Sequence, residues 1–146
     1  MVSMIRQPSK RQGARMRLEV RTTRREELVD VTRMVAQAVT DRGVTSGVAV
    51  VSSPHTTAGI LVNENADPDV ATDLIAGLSR IAPEVAGWRH AEGNSDAHLK
   101  TALVGTSAMI PVEDGRLLLG TWQAVYFAEF DGPRSRRLDV SVLPGL

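Results

Sequence analysis

The chain has 146 residues, 42% of them hydrophobic, which suits one ordinary domain with a real core. Lysines and arginines balance aspartates and glutamates at 17 each, so no global charge favours nucleic acid or an anionic membrane. With no cysteine there is no disulfide, thiol nucleophile or thiolate metal site, and no apolar run approaches the ~18 residues of a membrane span.

Residues 1–25 hold eight Lys/Arg and one acid, Glu19. The first seventeen read as a basic, flexible tail, and 18–146 as one domain. No aromatic residue in that tail is placed to stack on a base, so nucleic-acid binding is not expected. The tail lacks the apolar stretch of a secretory signal, and together with the missing cysteines this points to a cytoplasmic protein.

In chain order, 16–23 reads as a first strand. From Leu28 an apolar stripe through Val31, Val35, Ala38 and Val39 predicts a helix, stopped by Gly43. Residues 47–53, "GVAVVSS", predict a strand covered on both faces, and "GILVN" a second strand. Asp67 and Pro68 open a second helix with Val70, Leu74, Leu78 and Ile81 on its buried face, and Pro83 ends it. "NSDAHLKTALVG" predicts a short third helix stopped by Gly105. Then "SAMIPV" and "RLLLG" flank the turn "EDG", "TWQAVYFAEF" is a strand, "DGPRS" turns, and "RRLDVSVL" alternates as a strand with one wet face. About three helices on a mostly antiparallel or mixed sheet make an α+β fold.

Three groups of polar residues do not fit their elements. His55, Thr56 and Thr57 precede a buried strand, and Asn63, Glu64 and Asn65 follow it. "RHAEGNSDAHLK" carries His90 and His98, with Asn94, Ser95 or Asp96 as helix cap, and Asp96 four residues from Lys100. Gln123 and Glu129 share one face of an otherwise apolar strand, where a carboxylate needs a partner such as Arg134, Arg136, a histidine or a metal. Histidines and carboxylates without cysteine suit a hard or borderline divalent ion. Each group also has a plain structural explanation: a turn, a helix cap, an arginine pair.

These stretches, "SSPHTTAGILVNENADPDV", "EGNSDAHLK" and "IPVEDGRLLLGTWQAVYFAEFDGPRSRR", resemble the YjbQ-like family, often described as secondary thiamine-phosphate synthases. The resemblance covers roughly residues 18–142. It implies a homotrimer with sites near subunit boundaries and a zinc-like metal bound by His55, His90 and His98, with magnesium an option for a diphosphate substrate. It further implies that Glu64, Asp96 and Glu129 are catalytic, and that Thr56, Thr57, Asn94, Lys100, Gln123 and Arg134 bind a phosphorylated small molecule. Trp122 or Tyr126 would flank a ring. The activity implied is the joining of a pyrimidine diphosphate to a thiazole phosphate. Two alternatives are a metal-dependent hydrolase of a small ester or phosphoester and a non-catalytic trimeric anion-binding module.

Overall fold

The computed structural model describes residues 15–145. The elements are β1 (Arg15–Arg21), β2 (Glu27–Asp30), α1 (Thr32–Arg42), β3 (Gly47–Ser52), β4 (Ala58–Glu64), α2 (Pro68–Ile81), α3 (Ser95–Val104), β5 (Ser107–Glu113), β6 (Arg116–Leu117), β7 (Gln123–Glu129) and β8 (Ser135–Pro144). Two sheets form, ordered β1-β8-β3-β5-β6 and β2-β7-β4, and every pairing is antiparallel. The α+β expectation holds, as one domain.

The main core lies between the sheets and α1. Val35 and Val39 of α1 pack with Ala49 and Val51 of β3, Val125 and Phe127 of β7, and Leu138 and Val140 of β8. With so few aromatic residues the core is built of β-branched side chains. These suit a pleated surface and interdigitate without polar atoms.

Several boundaries depart from the sequence reading. Residues 15–17 fall within the proposed tail but belong to β1, pairing with Ser141, Val140 and Asp139, as the strand reading from Met16 expects for all but Arg15. Arg17 Nε donates to Asp139 Oδ1 at 2.9 Å, a partner 122 positions away that local charge cannot reveal. The rest of the proposed tail, 1–14, lies outside the described residues. The stripe from Leu28 splits. Residues 27–30 pair with β7 as β2, and α1 begins only at Thr32, whose N–H and hydroxyl both bond Asp30 Oδ1. A sheet edge outbids the helical pattern there. β3 buries only one face fully, the other being half-buried.

The second helix is placed as expected, with Asp67 accepting from the Asp69 N–H at 2.9 Å and Pro68 in its first turn. Its apolar face is not buried as expected. No α2 residue is fully buried, and Ile81 is 69% exposed. The hairpin turn is as predicted, with positive φ at Asp114 and Gly115.

A buried charge cluster fixes α3. Asp96 and Lys100 have no exposed surface. Lys100 Nζ donates to Asp96 Oδ2 at 3.1 Å and to Glu26 Oε1 at 2.8 Å. Arg25 grips Asp96 with two hydrogen bonds, 3.0 and 3.1 Å. Burial alone would raise the Asp96 pKa, but the hydrogen bonds and charges of Arg25 and Lys100 outweigh it and hold the pKa below its usual 3.8. A depressed carboxylate contributes stability that is complete above its ordinary pKa and is lost as pH falls through the folded value. Acid titration below about pH 4 is therefore expected to loosen α3, followed by circular dichroism. Asp96→Asn is expected to cost about 3 kcal/mol in urea unfolding at pH 7, because it removes the one fully buried carboxylate that both Arg25 and Lys100 pair with and leaves Lys100 to Glu26 alone.

Candidate active site

Between strands β3 and β4 the chain makes a tight loop that presents His55. The Ser53 hydroxyl donates to the Ala58 carbonyl at 2.7 Å and accepts from the His55 N–H at 3.2 Å. Opposite, Asn94 and the first turn of α3 bring up His98. A polar cleft of about 330 Å³ lies between them, walled by Pro54, His55, Thr56, Thr57, Glu92, Asn94, His98, Asp131, Arg134 and Arg136.

The floor is a buried network. Arg136 Nη2 reaches Glu129 Oε2 at 2.6 Å and Thr57 Oγ1 at 2.8 Å, and Arg136 Nε bonds Glu129 Oε1 at 2.9 Å. Glu129 Oε1 also accepts from Thr22 Oγ1 at 2.8 Å. Every oxygen of Glu129 is thus engaged, and the residue supports Thr57 rather than facing a ligand. The turn after β7 requires glycine at 132, since a Cβ there would lie against the Arg24 carbonyl and 2.8 Å from both Glu129 Cγ and Thr22 Oγ1.

The ring of His55 stands edge-on to Phe127, centroids 6.2 Å apart. Its Nε2 accepts the backbone N–H of Arg137 at 2.9 Å. An accepting Nε2 carries no proton, so the neutral ring carries its proton on Nδ1. Burial first, then the Arg136 charge, pushes the His55 pKa below 6.5, which keeps the ring neutral near pH 7. Arg134 donates from Nη2 to Asp131 Oδ2 at 3.0 Å, and the same oxygen accepts from Asn94 Nδ2 at 2.9 Å. Asn94 Oδ1 is buried with no hydrogen-bond partner among the described residues.

Of the residues singled out in the sequence, His55, Thr56, Thr57, Asn94, His98 and Arg134 meet in this cleft. Others do not. Glu64 pairs with Gln123 at one end of the β4–β7 ladder, while Ala58 pairs with Glu129 at the cleft end. At ~3.4 Å per residue, Glu64 and Gln123 stand about 20 Å away along the strands. Gln123 Oε1 there accepts from the Gly120 N–H at 2.8 Å. Asp96 and Lys100 point into the buried cluster under α3, not into the cleft. Glu92 and Asp131 were missed. Arg136 is the arginine partner expected for Glu129, and it reaches the cleft wall as well.

The three histidines do not gather as a ligand set. His90 and His98 are neighbours, centroids 5.5 Å apart, and His90 Nε2 lies 3.4 Å from Glu92 Oε2. His55 has its Nε2 committed to backbone. Among the described residues no group of three or more His, Asp or Glu side chains is arranged to hold a metal ion. The donors of one chain therefore do not fit the expected zinc-like site, and no chemistry is routed through it.

An antiparallel two-sheet α+β domain with a polar cleft at the β3–β4 loop and the start of α3 is the class that this geometry defines. The chain belongs to the YjbQ family, described as UPF0047 protein YjbQ-like, which matches residues 16–145. It is 51% identical over 125 residues to the UPF0047 protein MJ1081 of Methanocaldococcus jannaschii, covering 86% of this chain and 91% of that protein. It is 49% identical over 131 residues to the UPF0047 protein YugU of Bacillus subtilis, covering 86% and 96%. The fold matches a crystal structure of a yjbq/upf0047-family protein from Clostridium acetobutylicum with a TM-score of 0.86, at 48% identity, over 88% of this chain and 99% of that one. A YbjQ-like protein of unknown function from Sulfolobus solfataricus also aligns with a TM-score of 0.86, at 32% identity over 90% and 96% of the two chains.

Two outcomes are expected here. Nitrogen-15 spectra of the histidine rings at pH 7 should show His55 neutral with its proton on Nδ1. Glu129→Gln should cost about 3 kcal/mol in chemical unfolding, because Arg136 would stay buried without a countercharge.

Proposed function

We propose that the cleft binds a phosphorylated small molecule and transfers a group to or from it, with thiamine-phosphate synthesis as the specific reaction. What carries this reading is the meeting of distinct anion donors at one cavity: the Arg134 guanidinium, the Thr56 hydroxyl, the Nδ1–H of His55 and the start of α3. The first N–H groups of a helix lack intrahelical partners, and they add a positive end to the site. Asn94 Oδ1, buried and without a hydrogen-bond partner among the described residues, asks for a donor on the ligand.

In that reaction the ring nitrogen of a thiazole phosphate bonds to the methylene carbon of a pyrimidine diphosphate. The carbon–oxygen bond breaks, and its electron pair leaves with diphosphate. The attacking nitrogen has no proton to lose, so no general base is needed. This agrees with Glu129 being locked beneath Thr57 and Glu64 lying far along the sheet. Arg134 and the α3 terminus then serve the charge that gathers on the departing diphosphate. Any magnesium belongs to the diphosphate as its counter-ion. The hydrolytic alternative needs a base free to take a proton from water, and Glu129 does not offer one.

We extend the proposal to assembly as a homotrimer. The half-covered apolar face of α2, with Leu74 and Leu78 only half-buried and Ile81 in the open, is a surface that association would cover.

The test is incubation of the purified protein with both substrates. Thiamine phosphate and diphosphate should appear together, and Arg134→Gln should slow the reaction by about 100-fold. Phosphate or diphosphate released from one substrate alone would assign hydrolysis instead. Binding without product would leave an anion-binding module. Sedimentation should give three times the 15.7 kDa chain mass.

A further inference from the structure

Beside the polar cleft lies a second hollow, of about 450 Å³, walled by Trp88, His90, Ser95, His98 and Leu99. Its wall is mostly carbon, from an indole, a leucine and two imidazoles. His98 lines both spaces, so the hollow and the cleft are adjacent compartments with one shared wall. From the irregular segment between α2 and α3, Trp88 enters the wall. Its Nε1 donates to the Pro83 carbonyl at 3.0 Å, which pins the indole, yet 37% of the residue stays exposed. His90 stands edge-on to His98 at 86°, so one imidazole presents its face where the other presents its edge.

The other aromatic side chains are committed elsewhere. Phe127 and Phe130 are in the core clusters. The Tyr126 hydroxyl donates to Asn65 Oδ1 at 2.8 Å and to the Glu64 carbonyl at 3.1 Å. Trp122 precedes β7 at the Glu64 end, where its carbonyl accepts the Asn65 N–H. Neither Trp122 nor Tyr126, the expected ring neighbours, is placed to flank a ring in the cleft. Trp88 is placed beside it, held in one orientation by a hydrogen bond that leaves its π-face for packing.

We infer that this hollow is the subsite for a flat, weakly polar ring whose short anionic arm lies in the adjoining cleft. The ligand class is thus an aromatic or heteroaromatic phosphate ester, read by Trp88 and Leu99 at one end and by Arg134 and Thr56 at the other. His98 sits at the junction. The inference rests on the cleft being an anion site, and its test separates the two.

A Trp122→Phe protein leaves Trp88 as the only tryptophan. Its emission is followed on titration with benzyl phosphate and with benzyl alcohol, and inorganic phosphate binding is measured by calorimetry. Benzyl phosphate is expected to quench Trp88 and to bind at least about tenfold tighter than inorganic phosphate. Trp88→Ala, made in the wild type and read by calorimetry, should erase that gain and leave phosphate affinity within about twofold. Leu99→Gln, a milder change in the same wall, should weaken benzyl phosphate alone. If phosphate binds but benzyl phosphate binds no tighter, or if the gain survives Trp88→Ala, the ring subsite is overturned while the anion site stands. If neither phosphate binds, the anion site falls and takes the subsite with it. Trp88 emission that follows protein concentration and not benzyl phosphate would assign the hollow to a second copy of the chain and overturn the inference.

Discussion

One buried ion pair holds the site and the fold together. Glu129 ends β7 in the three-stranded sheet, and Arg136 begins the inner run of β8 in the five-stranded sheet. Their hydrogen bonds cross from one sheet to the other, and Thr22 and Thr57 complete the shell. Both side chains are buried, so each charge depends on the other. The glycine at 132 follows from this, because the chain must turn against Glu129 with no side chain in the way.

The same logic is repeated under α3, where the buried Asp96 and Lys100 share charge with the half-buried Arg25 and Glu26. The two networks flank the cleft from below. One sets Thr57 and thereby the loop carrying His55. The other sets the first turn of α3 and thereby His98. Exposed polar groups of the cleft are thus mounted on buried polar groups, which fixes their geometry without burying the groups that meet a ligand.

Much of this architecture is written locally. The cap at Asp67, the turn at Asp114–Gly115 and the alternation of Leu138, Val140 and Val142 can be read from neighbouring residues. So can the Asp96–Lys100 contact, which is one helical turn long. What escaped were features decided by distant chain. β2 exists because β7 offers an edge, not because of anything in its own four residues. The fates of Glu64 and Glu129 illustrate the same limit. Both are carboxylates at strand ends, yet antiparallel pairing sends them to opposite ends of one ladder. Their chemistry looked alike in the sequence, and register separated them. The convergence of His55, Asn94 and His98 was readable only through the motifs of the resemblance, since their spacing contains no geometric rule. Trp88 lay in a segment without periodicity, and only the cavity beside it gave it a role.

The burial of Lys100 has a consequence for the chemistry that the molecule offers to its surroundings. The chain has two lysines, Lys10 and Lys100, and every other basic residue is an arginine. Within residues 15–145 the sole amine is therefore sealed inside the α3 cluster, where it donates to Asp96 and Glu26. Guanidinium groups alone make up the lysine–arginine part of the accessible surface there. Such a surface holds its charge at any physiological pH and resists acylation by reactive thioesters or anhydrides. The body of this domain is thus a poor target for amine-directed modification, and reagents of that kind would report unfolding of α3 by the sudden appearance of a reactive side chain.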